Sequence, residues 1–244
     1  MKLFLLGVAS ALVLSHAVHG AAVLGPCVTY SAGGGGGTAC GTLNTDGKTF
    51  AISFGDGRGI DILDSNDTVI ARITSLTISG NIDPTISYGL AVIDFGAPTD
   101  FVFGFSTPIV PGSYTHAFST ISGSVTDAGA DGVSAIPIPA ALLMQTAEAG
   151  PGAVDLGVAV GPACTGAVGV ASVCAADSLH NFAVAGGPFS SLSLRVAFRG
   201  SGGGDIITLS GRADLDDARV PEPSTVFLSG TALLALGILR RVRS

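Results

Sequence analysis

Between residues 49 and 210, apolar and polar side chains alternate in short runs that Gly, Ser, Asp and Pro interrupt every few positions, and nothing constrains the fold more. Successive side chains of a β-strand point to opposite faces. In Ser191–Arg199 this puts Leu192, Leu194, Val196 and Phe198 on one face, and Arg195 and Arg199 on the other. One face is then core and the other wet. Phe101, Phe103 and Phe105 repeat the spacing, as do Val69, Ala71 and Ile73 against Ile70, Arg72 and Thr74. Residues 49–54, 76–79, 86–95, 114–121, 154–160, 168–173, 181–185 and 205–210 have the same character. Many short strands separated by turn residues predict a mainly β protein: a single antiparallel β-sandwich, jelly-roll-like, over residues 23–219. About 200 residues suit one such domain, or two small ones, and no linker forces a split.

Three stretches depart from this texture. Residues 140–148 read as a short helix crossing between sheets, entered through Pro137 and Pro139 and stopped by Gly150-Pro151. The run Gly33 to Gly37 reads as a flexible loop between Cys27 and Cys40; it lacks the Lys-Ser/Thr continuation of a phosphate-binding loop. Gly202-Gly203-Gly204 reads as a hairpin tip.

The two ends carry address information. Lys2 precedes an apolar run from Leu3 to Leu14 and small residues around Val18-His19-Gly20-Ala21-Ala22, so residues 1–22 read as a secretory signal peptide, too short in its apolar core to be a first membrane span. At the other end, Val220-Pro221-Glu222-Pro223-Ser224 leads into an uncharged run from Thr225 to Leu239, then Arg240-Arg241-Val242-Arg243-Ser244. Residues 225–239 would span about 22 Å as a helix, a short transmembrane segment against a hydrocarbon core of about 30 Å. Arg240, Arg241 and Arg243 would stay in the cytoplasm, leaving everything before Pro221 on the far side. Pro221 and Pro223 keep the segment just outside the bilayer extended. A plain membrane anchor that is never cut meets the same description.

Pro-Glu-Pro, a short apolar span and a terminal Arg cluster, in this order over residues 220–244, resemble the PEP-CTERM sorting signal of Gram-negative bacteria. The resemblance implies recognition of Pro221, Glu222 and Pro223 by a membrane-embedded exosortase, transient residence in the inner membrane, cleavage near the motif, and transfer of the body to the cell surface or extracellular matrix. It also implies the company of exopolysaccharide, other matrix proteins and biofilm.

The body between residues 21 and 220 holds seven Lys/Arg against seventeen Asp/Glu, a formal balance of −10, more acidic than the −7 of the whole chain. Such a body argues against nucleic acid, whose affinity rests on Lys/Arg contacts to phosphate. Cys27, Cys40, Cys164 and Cys174 in an exported chain predict disulfides. Three pairings are open; Cys27 with Cys40 and Cys164 with Cys174 close the shortest loops, each worth about 2–3 kcal/mol. Their spacing is too wide for a structural zinc cluster, and only His116 and His180 could assist, so no metal or other cofactor is expected.

The inventory for chemistry is thin. No His-Glu-x-x-His or Gly-x-Ser-x-Gly motif is present. A triad built on His116 or His180 has no local support; His116 reads as a strand-face residue beside Tyr114 and Phe118, and His180 sits at a strand entrance after Asp177. Glu148 is the one glutamate of the body outside the sorting motif, which leaves a glycosidase pair mostly to aspartates. The absence of Trp, with only Tyr30, Tyr88 and Tyr114, weakens a sugar-binding groove. In the acidic stretch Asp56 to Asp67, Asp64, Asn66 and Asp67 fit a β-turn better than a calcium loop. The expectation is a non-catalytic structural or adhesive surface component. The alternative is a secreted hydrolase or carbohydrate-binding protein acting on matrix polysaccharide, and calcium-dependent adhesion is a third possibility.

Overall fold

The computed structural model describes residues 25–44, 46–54, 59–138 and 143–217. The expected signal peptide at residues 1–22, the motif residues Pro221, Glu222 and Pro223, the expected membrane segment 225–239 and Arg240, Arg241 and Arg243 lie outside the described residues.

In chain order the strands are β1 (Cys27–Ala32), β2 (Gly35–Cys40), β3 (Thr49–Phe54), β4 (Ile60–Leu63), β5 (Val69–Asn81), β6 (Thr85–Asp94), β7 (Asp100–Gly112), β8 (His116–Thr126), β9 (Val133–Pro137), β10 (Gln145–Ala149), β11 (Val154–Asp155), β12 (Cys164–Gly166), β13 (Ala171–Asn181), β14 (Phe189–Gly200) and β15 (Asp205–Asp216). One sheet runs β11-β10-β14-β7-β1-β2, with β9 joined to β14 and β12 to β9; the other runs β13-β8-β15-β6-β5-β3, with β4 on β5. Pairing is antiparallel, and the successive long strands β6, β7 and β8, and again β13, β14 and β15, alternate between the sheets as in a jelly roll. The expected two-sheet sandwich is the observed fold.

Alternation explains the core. Phe101, Phe103 and Phe105 of β7 are fully buried, and Phe198 of β14, paired with Phe101, brings its ring centroid within 5.2 Å of that of Phe101. Tyr88 reaches across from the other sheet to stack on Phe105 at 4.6 Å. The segments read as 69–74 and 76–79 form one strand, β5, with a register shift between Ile73 and Ser75. Before it Ala71 and Ile73 face inward; after it Leu76 and Ile78 do. The extra residue flips the phase of the alternation, which is why one strand reads as two.

Where a helix was expected, Gln145–Ala149 is strand β10, paired with β14; residues 139–142 lie outside the described set. Gln145, Ala147 and Ala149 are buried while Thr146 and Glu148 face outward, so ladder pairing and burial override the helix preference of Ala, Gln and Glu. Gln145 is held by the opposite sheet. Its Nε2 donates to Ser119 Oγ at 2.6 Å and to the carbonyls of Thr120 and Arg212, and its Oε1 accepts from the Tyr88 hydroxyl at 2.7 Å. A Cβ at Gly211 would collide with Gln145 Oε1 and the Tyr88 ring.

Two glycine runs also differ from expectation. Only Gly33 and Gly34 turn, with φ of 52° and 94°; Gly35, Gly36 and Gly37 belong to β2, where the Tyr30 side chain sits 2.7 Å from the place a Gly37 Cβ would take. They supply room rather than flexibility. Gly202, Gly203 and Gly204, at φ 86°, 70° and 90°, join strands of different sheets, a corner rather than a hairpin tip. Both local disulfides are present. Cys27–Cys40 (S–S 2.04 Å) joins directly opposed residues of the β1–β2 hairpin, and Cys164–Cys174 (S–S 2.09 Å) ties β12 of one sheet to β13 of the other.

Candidate functional site

The two ends of the sandwich gather different chemistry. At the first, the segments 94–100, 126–133, 166–171 and 200–205 converge. Period-two geometry delivers the acids there: Asp94 ends the inward row Ile86, Tyr88, Leu90, Val92 of β6, and Asp205 begins the inward row Ile207, Leu209 of β15. The two are directly opposed across the strands, and both are fully buried. Asp127, also buried, follows β8. One donor atom from each of Asp127, Asp131 and Asp205 lies within 4.8 Å of the others, and Asp131 is exposed.

Backbone amides hold these carboxylates. Asp127 accepts from Gly169 at 2.6 Å, Ala130 at 2.8 Å and Gly132 at 3.0 Å, and these bonds, that from Gly169 foremost, hold its carboxyl below the usual range. Asp205 accepts from Ala128 N–H at 3.2 Å and from the Ser201 hydroxyl at 2.5 Å. Asp94 Oδ2 accepts from Thr99 and Gly202 N–H at 3.1 and 3.0 Å, while Oδ1 has no donor among the described residues. Burial pushes Asp94 upward, and the neighbouring Asp205 charge adds to it, against the pull of those amides. Arg72, Arg199 and Arg212 pair elsewhere, with Asp61, Asp100 and Asp214.

The opposite end carries a cleft of about 690 Å³ between the starts of β8 and the ends of β13 and β15. Its floor is aromatic. Phe118 and His180 face each other across β8 and β13 with ring centroids 4.3 Å apart, His180 stacks on Phe182 at 5.7 Å, and His116 meets Phe182 edge-on at 5.6 Å. Phe182 is 71% exposed. Asp83, Asp214, Asp216, Asp217 and Arg212 rim the cleft, and Arg212 Nε donates to Asp214 at 2.7 Å. Exposed ring faces with carboxylates and a guanidinium around them can stack on an apolar face of a ligand and hydrogen-bond its hydroxyls.

His116 stands on the outer face with Phe118, as the alternation indicates; Tyr114 does not join them, being buried with its hydroxyl donating to the Val110 carbonyl at 2.6 Å. His180 lies at the end of β13, not at a strand entrance. The Asp64 carboxylate accepts from Asn66 and Thr68 N–H at 2.8 and 3.0 Å, and Asp67 adopts φ 61°, the predicted turn; Asp56 lies outside the described residues. The cluster Asp94, Asp127, Asp131 and Asp205 was missed. Its sequence signal was an aspartate in the apolar phase of two alternating strands. The ring cluster was missed as well, although His116/Phe118 and His180/Phe182 each show the two-residue spacing of a shared strand face.

The PEP-CTERM protein-sorting motif matches residues 219–243. The chain carries that motif, which implies an exported, exosortase-processed protein of a Gram-negative bacterium. No curated protein matches the chain. Among solved structures, that of TmCBM61 in complex with β-1,4-galactotriose is similar over 53% of this chain and 71% of its own, at 12% identity and a TM-score of 0.28, a level that carries no argument about ligands.

Proposed function

We propose that this protein is a non-catalytic structural or adhesive component of the cell surface or extracellular matrix, sorted by exosortase and associated with exopolysaccharide. The observation that carries the proposal is the sorting motif at residues 219–243, immediately after a disulfide-clamped sandwich whose last described residue is Asp217. In this reading Pro221, Glu222 and Pro223 are the recognition segment, residues 225–239 the membrane handle, and Arg240, Arg241 and Arg243 the cytoplasmic stop. The test is the intact mass of protein recovered from outside the native cells. The wild type should have lost everything beyond the Pro221 region, and a triple alanine variant at Pro221, Glu222 and Pro223 should stay uncut in the membrane. Release of that variant at the wild-type mass would overturn the proposal.

The ring cluster of His116, Phe118, His180 and Phe182 favours a second reading, carbohydrate binding at the cleft. Retention of the protein on the host's own exopolysaccharide, reduced about fivefold or more by Phe182→Ala, would support it, since one desolvated aromatic contact is worth about 1–2 kcal/mol. New reducing ends released from that polysaccharide would instead make the protein a hydrolase.

A further inference from the structure

We propose that Asp127, Asp131 and Asp205 form a calcium site at the acidic end of the sandwich, with the buried Asp94 beside them, and that the ion fastens the loops closing this end. Two independent observations meet here. The first is the cluster itself, three carboxylates from the β8–β9 loop and the start of β15 with donor atoms within 4.8 Å of one another. Calcium–oxygen bonds of 2.3–2.6 Å let one ion touch donors spaced that far apart. The second is Asp94, which comes from a different strand, faces Asp205 across the β6–β15 pairing, is fully buried, and leaves Oδ1 without a donor among the described residues.

Electrostatics then calls for a cation. Asp94, Asp127 and Asp205 are all buried, and none makes an ion pair among the described residues. Burying an anion without a counter-charge costs on the order of several kcal/mol, which a bound cation would offset. The donors are all hard carboxylate oxygens, which select calcium or magnesium over zinc or copper. Carboxylates already anchored by amides cannot rearrange into the near-ideal octahedron that magnesium demands, whereas calcium accepts irregular shells of six to eight oxygens. An ion here would join the β8–β9 loop, which carries Asp127 and Asp131, to the β14–β15 corner at Asp205. Gly203 belongs to the same arrangement: a Cβ there would lie 3.1 Å from Asp131 Oδ1, so the corner packs directly on the third ligand.

The experiment uses the full chain in detergent, stripped with EDTA and then melted with CaCl₂ or MgCl₂. At about 10 mM calcium and an affinity in the 10⁻⁴–10⁻³ M range of extracellular modules, the midpoint should rise by about 3–10 °C, and magnesium should do markedly less. Asp131→Asn, an exposed change, should remove the response while leaving the calcium-free midpoint within about 2 °C of wild type. The double variant Asp64→Ala with Asp67→Ala should respond as wild type does. Equilibrium dialysis of the unmutated chain against labelled calcium should show one ion bound, a reading that needs no variant to fold. A flat melt, an equal response to magnesium, an undiminished response in Asp131→Asn, a response lost with Asp64 and Asp67, or no calcium retained in dialysis would each overturn the proposal.

Discussion

Both ends of the sandwich are made of loops between the same strands, yet they treat polar groups in opposite ways. At the acidic end three of the four clustered carboxylates are buried and tied to backbone amides: Asp127 to three, Asp94 to two, Asp205 to one and to Ser201. At the other end rings and carboxylates stand around an open cleft and touch mainly one another. The first arrangement determines loop conformation, because the carboxylates fix the backbone donors of several loop residues, and those of Thr99 and Gly202 would otherwise be buried unpaired. The second leaves its faces free for contact. The comparison also orients the molecule: β15 ends at Asp216, on the cleft side, and Pro221 of the sorting motif follows only a few residues later in the chain.

The sharpest way to break this contrast is Asp127→Ala. It would remove three hydrogen bonds to a carboxylate, from the amides of Ala130, Gly132 and Gly169, at about 1 kcal/mol each because these donors are partly reached by water, so a loss of about 3 kcal/mol is expected by urea unfolding in calcium-free buffer. A loss below about 1 kcal/mol would mean that the acidic end is not architecture. Next comes the inter-sheet clamp. Cys164→Ser with Cys174→Ser opens a loop of sequence separation 10 and should cost about 2–3 kcal/mol in the same assay. A much smaller cost would show that the β12–β13 edge is held without it.

The fold was legible where alternation keeps its phase, and obscured where a local preference competes with it. β7 and β14 announce themselves through phenylalanines and leucines two residues apart. The bulge in β5 resets the phase and divides one strand into two on paper. Residues 140–148 suggest a helix because Ala, Leu, Met, Gln and Glu favour one locally, but Gln145 finds its partners on three strands of the opposite sheet, contacts no local pattern contains. The same physics hid both sites. Asp94, Asp127 and Asp205 come together only once β6, β8 and β15 are neighbours, and the rings of Phe118 and His180 meet only through the β8–β13 pairing. The cysteine pairing, by contrast, is the one of the three open to the sequence that closes the shortest loops. What that length could not show is that Cys164 and Cys174, so close in the chain, belong to different sheets.

Changes at the cleft end should move stability far less. Phe182 is mostly exposed, so Phe182→Ala should leave stability within about 0.5 kcal/mol of wild type while weakening polysaccharide retention. A large loss of stability would mean that the ring is structural and the cleft no free surface.

The smallest expected effect lies in a turn on the same side. Asp46 accepts from the Thr49 hydroxyl at 2.6 Å and from the amides of Thr49 and Lys48 at 2.9 and 2.8 Å, which pull its carboxyl from 3.8 down to about 2. A carboxyl depressed in the folded state stabilises that state fully above its unfolded value and loses the contribution as pH falls through the folded one. Asp46→Asn should therefore lower the midpoint slightly at neutral pH, and the difference from wild type should fade between about pH 4 and pH 2. The effect should also shrink in high salt to the extent that charge contributes, because the turn is exposed. If the difference persisted unchanged to pH 2, Asp46 would be acting through the shape of the turn rather than its charge, and the cleft side would then resemble the acidic end in using carboxylates as scaffolding.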